Sequence, residues 1–308
     1  SVSMNSAGDR VAIGANGNDG SASGAGHVRV YALSSGSWTQ LGADINGEAS
    51  SDYSGYSVSM NSAGDRVAIG AHENDGTSSA AGHVRIYSYN GSAWTQLGSD
   101  IDGEAGSDNS GRSVSMNAAG DRVAIGANYN NGNGSADAGH VRVYEYSSGS
   151  WSQLGADIDG EAGGDHSGWS VSMNAAGDRV AIGALYNDGN GTDAGHVRVY
   201  TLSSGSWSQL GGDIDGEAAS DRSGFTVSMN SAGDRVAIGA YYNDGTASEA
   251  GHVRVYSYNG SAWTQLGSDI DGEAGADYSG YSVSMNSSGD RVAIGAYGND
   301  GTASDAGH

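Results

Sequence analysis

The stretch Ser1-Val2-Ser3-Met4-Asn5-Ser6-Ala7-Gly8-Asp9-Arg10-Val11-Ala12-Ile13-Gly14-Ala15 returns, with small edits, from residues 57, 113, 170, 226 and 282. A histidine follows each copy, at 27, 83, 140, 196, 252 and 308, so the period is 56 residues, once 57. The extra residue falls in the Asn/Gly-rich segment 127–140, which marks that segment as a surface loop. Such a period restricts the chain to architectures in which one supersecondary unit is copied and stacked.

Residues 57–112 illustrate the unit. Ser57-Val58-Ser59-Met60 alternates small polar with apolar residues, and Asn61-Ser62-Ala63-Gly64 makes a turn. Arg66–Ala71 alternates large with small, and a polar loop leads to His83–Tyr87. Asn90-Gly91 is a strong hairpin signal, and Trp94 opens a fourth run that reaches Ile101. Every run has period two and none has a helical period. The expectation is an all-β chain, a β-propeller of four-stranded antiparallel blades. Val67 and Ile69 face one side while Ala68 and Gly70 face the other, so a bulky face of one blade meets a small face of the next. The repeats are 1–56, 57–112, 113–169, 170–225, 226–281 and a partial 282–308, giving five complete blades and the inner two strands of a sixth. One propeller belonging to a longer protein is expected. A closed ring and an open array are both compatible with this pattern, and the second strand of the unfinished blade, near Ile294, offers an edge for self-assembly.

Composition narrows the chemistry. There is no Cys, so disulfides and thiol chemistry are excluded, and there is no Pro. All 13 basic residues are Arg against 36 Asp and Glu, a net charge of −23, which repels nucleic acid and anionic lipid. No apolar run is long enough for membrane insertion.

The frame Ser-Gly-Tyr-Ser-Val-Ser (54–59), Arg-Val-Ala-Ile-Gly-Ala (66–71) and Ala-Gly-His-Val-Arg (81–85) resembles the FG-GAP repeat of integrin α-chain-like propellers. The resemblance spans nearly the whole chain. It implies an extracellular or cell-surface propeller, commonly of seven blades, that serves adhesion and recognition. The loop of that family that often binds calcium is here Asn61-Ser62-Ala63-Gly64-Asp65, with one acid.

The acidic run after the fourth strand is the main candidate for a calcium site. Asp100, Asp102, Glu104 and Asp108 stand at positions one, three, five and nine. The spacing recurs as Asp157, Asp159, Glu161 and Asp165, as Asp213, Asp215, Glu217 and Asp221, and as Asp269, Asp271, Glu273 and Asp277. Hard cations take closely spaced oxygens of this kind. The competing reading is that these acids accept backbone hydrogen bonds in a tight connection or pair with the repeated Arg. The histidine before each third strand recurs in every copy, which points to a hydrogen bond fixing its loop rather than to catalysis. The repeated Arg of the third strand reads as an inter-strand or inter-blade pair, and the Trp of the fourth as packing between blades.

Positions that differ between copies gather in the loops of one rim. They are Tyr53, Tyr56, Arg112, Tyr129, His166, Trp169, Tyr186, Arg222, Phe225, Tyr241, Tyr242, Tyr278, Tyr281 and Tyr297. Aromatic and Arg side chains make good recognition surfaces, so a protein or glycan partner is expected there, although unconstrained surface drift also varies loops. Sequons at Asn90, Asn133, Asn190 and Asn259 are acceptors for N-glycosylation in a secreted chain. The first strands, Ser/Thr-Val-Ser-Met throughout, offer a channel wall without an acid, base or nucleophile. The chain therefore reads as a non-enzymatic extracellular recognition module, with a structural unit of a fibre or coat as the alternative.

Overall fold

The computed structural model describes residues 1–301, 303 and 306–308. These form five antiparallel sheets of the repeated kind and a sixth, two-stranded sheet, the β-propeller blade expected from the alternation. In residues 57–112 the strands are Ser57–Met60, Arg66–Ala71, His83–Tyr89, Trp94–Gln96 and Ile101–Asp102. Val58 pairs with Ile69, Ala68 with Ile86 and Tyr87 with Gln96. The fourth strand is in two pieces rather than continuous from Trp94 to Ile101. Gln96 pairs with Tyr87 and Ile101 with Val84, so the outer chain bulges between them. Gly98 carries the bulge at φ +80°, and a Cβ there would press on the Trp151 ring of the next blade.

The chain divides into two compact units, residues 1–132 with 139–158, and residues 133–138 with 159–308. In the first, Val58, Met60, Val67 and Ile69 of the second blade pack on Ala12, Val28, Val30 and Ile45 of the first. Val84, Ile86 and Ala68 of the second blade then meet Met116, Val123 and Ile125 of the third. The second unit repeats the scheme with Ala181, Val197 and Val199 against Val227, Val236 and Ile238. The second-strand Ala of one blade thus meets the bulky Val and Ile of the next, third-strand Val or Ile and the Ile after the bulge complete the core, and each fully buried Val or Ile contributes about 1.5–3 kcal/mol.

Hydrogen bonds stitch the same seams. Ser57 Oγ donates to the Gly111 carbonyl at 2.7 Å and Arg66 Nη1 to the Gly120 carbonyl at 3.0 Å. Trp151 Nε1 donates to the Leu97 carbonyl at 2.7 Å, and Trp263 repeats this on Leu210. The third-strand Arg also spans blades, as expected: Arg142 Nη2 donates to the Asp102 carbonyl at 2.7 Å.

The first blade leaves its bulky face open, with Val2 68%, Met4 54% and Ile13 43% exposed, where the equivalent Val58, Met60 and Ile69 are buried. The sixth sheet is Ser279–Met285 with Val292–Ala296. His308 exchanges two backbone hydrogen bonds with Ala296, at 2.8 and 2.9 Å, so the Ala296 end of this last strand is engaged.

Candidate functional site

The acidic runs do not act as single clusters, because the bulge and the following turn send their members in different directions. The last acid of each run is buried and structural. Asp108 Oδ2 accepts from Ala105 N–H at 2.9 Å and from Asn130 Nδ2 at 2.9 Å, and Asp165, Asp221 and Asp277 are held by Asn187, Asn243 and Asn299 in the same way. The first acid accepts from a fourth-strand glutamine, as Gln96 Nε2 on Asp100 and Gln265 Nε2 on Asp269. The second acid lends its backbone carbonyl to the next blade's Arg: Asp159 to Arg198 and Asp215 to Arg254.

The glutamate instead crosses the seam to the next blade. There it meets the histidine that begins the third strand and the first acid of that blade's own run. Four such groups occur among the described residues: Glu48, His83 and Asp100; Glu104, His140 and Asp157; Glu161, His196 and Asp213; Glu217, His252 and Asp269. In each group one ligand atom from every member lies within 4.8 Å of the others, so these are groups able to hold a metal ion. His252 is the clearest case. It is 1% exposed, and neither ring nitrogen has a hydrogen-bond partner. Its Nδ1 stands 3.8 Å from Glu217 Oε2 and 3.9 Å from Asp271 Oδ1, beyond hydrogen-bonding range. The loop-fixing hydrogen bond expected of this histidine is therefore missing. Burial, reinforced by Arg254, lowers the His252 pKa and keeps the ring neutral, the form that ligates metals. Burial followed by the neighbouring Arg likewise brings His140 and His196 to about 4. Arg254 Nη1 approaches Glu217 Oε1 at 3.5 Å and orients the carboxylate. Sequence reasoning did not group these histidines with the acids. The signal was present in their fixed distance from the acids, but the glutamate comes from the preceding repeat.

The variable residues cluster within each unit. In the first, the Tyr56 ring lies 4.1 Å from His72 and the Arg112 guanidinium 4.6 Å from Tyr56, with Tyr53 at 6.1 Å from His72. Tyr129 is 40% exposed. In the second, Trp169 meets Phe225 at 5.8 Å, and Phe225 meets Tyr241 at 4.2 Å and Tyr281 at 5.0 Å. Tyr278 stacks on Tyr297 at 5.0 Å, and His166 meets Tyr186 edge-on at 5.0 Å. Arg222 Nη1 donates to Tyr241 Oη at 2.7 Å and lies 4.4 Å from the Tyr242 ring. Burial, the largest cause, pushes the Tyr241 hydroxyl up to about 12. The four sequon asparagines are exposed, and Asn190 Nδ2 is engaged with the Gly216 and Glu217 carbonyls.

No protein-family model matches the chain, and no curated protein matches it. Its fold is shared with solved structures. A hydrazine synthase from Kuenenia stuttgartiensis aligns with TM-score 0.59 at 10% identity, over 95% of this chain and 82% of that one. A putative 6-phosphogluconolactonase from Bacteroides uniformis aligns with TM-score 0.53 at 9% identity, over 88% and 84%. A periplasmic gluconolactonase from Pseudomonas aeruginosa aligns with TM-score 0.56 at 14% identity, over 88% and 69%.

These findings correct the FG-GAP and integrin-like resemblance. The motif that carried it, alternating bulky and small residues ahead of Gly-His, is what any radial stack of blades demands. The expectations of a non-enzymatic adhesion module, and of a fibre or coat unit, are corrected with it. The neighbours in fold are enzymes by title, and a uniform first-strand wall does not exclude chemistry built at blade seams. No helix among the described residues is long and apolar enough to cross a membrane.

Proposed function

We propose that this chain is a cation-assisted hydrolase of cyclic esters that works outside the cytoplasm. The observation that carries the reading is the buried, unpartnered His252 aimed between the carboxylates of Glu217 and its own blade's acids. Two structures of the same fold bear lactonase names, one of them periplasmic, which supports the class of reaction and the location. Glu217, His252 and Asp269 would hold the ion, and the three equivalent groups would do the same. A mixed nitrogen and carboxylate set suits zinc or manganese better than calcium, which prefers six to eight oxygens. Such an ion polarises a carbonyl oxygen and lowers the pKa of bound water. The protein's own part is to keep the imidazole neutral by burial, to hold Glu217 with Arg254, and to keep Asp269 in place through Gln265.

The test is hydrolysis of δ-gluconolactone followed in a pH-stat, with the protein as purified, after chelation, and after zinc or manganese is restored. Turnover above buffer is expected, lost on chelation and regained with the ion. A variant carrying Glu48→Gln, Glu104→Gln, Glu161→Gln and Glu217→Gln together should lose at least about tenfold in kcat/KM. Turnover indifferent to chelation, or none with the ion restored, overturns the reading.

A further inference from the structure

Loops of the fourth and fifth repeats form a cleft whose Arg222 and Glu249 recur in no other described copy. Loops at 219–222 and 242–249 enclose a volume of 320 Å³ whose polar lining is Ser220, Arg222, Tyr242, Asp244, Ser248 and Glu249. We propose that this cleft is a carbohydrate site that takes one neutral pyranose ring. The inference goes beyond the hydrolytic reading and does not depend on it.

Charge and chemistry select the ligand class. A single guanidinium faces two carboxylates, so a free anion meets the repulsion of Asp244 and Glu249 and a free cation that of Arg222. An apolar ligand would strand all of these groups without partners. A sugar ring avoids each penalty. Its hydroxyls donate to carboxylates and accept from guanidinium and serine hydroxyls.

The polar groups are held in place yet retain unused capacity. Arg222 is fixed by one side-chain hydrogen bond, to Tyr241 Oη at 2.7 Å, and by the Tyr242 and Tyr186 rings at 4.4 and 5.2 Å. Its remaining N–H donors make no protein hydrogen bond. Glu249 Oε2 accepts from Tyr278 Oη at 2.8 Å, which leaves Oε1 for a ligand. Asp244 Oδ1 accepts from the Glu249 backbone N–H at 2.7 Å, which leaves Oδ2. Each side chain is thereby pre-organised by one bond with another in reserve.

The residues are specific to this copy. The Arg222 position is Tyr53, Asn109, His166 and Tyr278 in the other copies, and the Glu249 position is Gly24, Ala80, Asp137 and Asp193. Arg222 and Glu249 also sit at φ +56° and +55°, where a side chain costs more than the glycine the first copy uses at the Glu249 position.

The experiment is saturation-transfer NMR on the full chain in EDTA, which keeps it separate from any cation chemistry. The probes are methyl β-D-glucopyranoside, methyl β-D-galactopyranoside and methyl α-D-mannopyranoside, with N-acetyl-lysine amide as a cationic control. At least one pyranoside should receive saturation, and its affinity should fall at least about tenfold in Glu249→Gln and in Arg222→Gln. Glu73→Gln, at the position of Tyr242 in the second blade, should bind as the parent does, and unchanged melting temperatures certify the variants. The proposal is overturned if none of the three pyranosides binds at about 20 mM, a free energy near −2 kcal/mol. It is equally overturned if Glu249→Gln and Arg222→Gln both bind undiminished, or if the lysine amide displaces the sugar.

Discussion

His72 shows how one loop residue in a repeat becomes sensitive to acid. Its ring lies under Tyr56 and beside Arg112, and its Nδ1 has no partner. Burial is the first cause and Arg112 the second, and together they lower its pKa to about 4. The unfolded chain takes up this proton near pH 6.5 and the folded chain resists until about 4. The stabilisation is therefore whole above pH 6.5 and disappears as pH falls towards 4, at up to about 1.4 kcal/mol per pH unit. His140 and His196 act in the same sense. Urea unfolding at pH 7.5, 5.5 and 4.5 should show a steep acid loss, and His72→Gln should flatten part of it. An equal slope in the variant would contradict this account. The bearing of these residues was partly legible. Their place on a variable rim could be read from the repeat, but their pairing with one another could not, since Tyr56 and His72 come from different copies.

At the scale of the strand, the seams between blades carry the stability. Gly70 lies where the Gly111 backbone passes in the connection to the next blade, and a Cβ there would fall on the Gly111 carbonyl oxygen. Gly70→Ala should thus cost more than about 3 kcal/mol, because backbone on both sides must move. Trp151→Phe keeps most of the ring but removes the bond to the Leu97 carbonyl, and should cost about 1 kcal/mol. Chemical denaturation measures both, and a Gly70→Ala variant as stable as the parent would refute the close approach. The large–small alternation of Arg66–Ala71 was enough to anticipate this stacking. The broken fourth strand was not, because Leu97-Gly98-Ser99 reads equally as a continuation and as a bulge until the Trp151 ring that fills it is placed.

For the molecule as a whole, 36 acids against 13 arginines leave a net charge of −23 on 308 residues. Self-repulsion of that size opposes the compact state and is screened by salt, with a Debye length of about 30 Å at 0.01 M and 3 Å at 1 M. The melting temperature should rise by several degrees between about 10 and 500 mM sodium chloride. A fall would mean that exposed ion pairs such as Arg29 with Asp44 outweigh the repulsion.

The sequence by itself determined the all-β class, the repeated four-stranded blade and the alternation of faces along each strand, because period two and a 56-residue repeat are local properties. Only the tertiary structure decided which acids meet which histidines. Glu217 lies 35 positions before His252, and the seam that joins them is made by stacking, which no spacing within one copy records. The same holds for the cleft of Arg222 and Glu249, whose side chains become neighbours only when two loops of the second unit fold over one blade end.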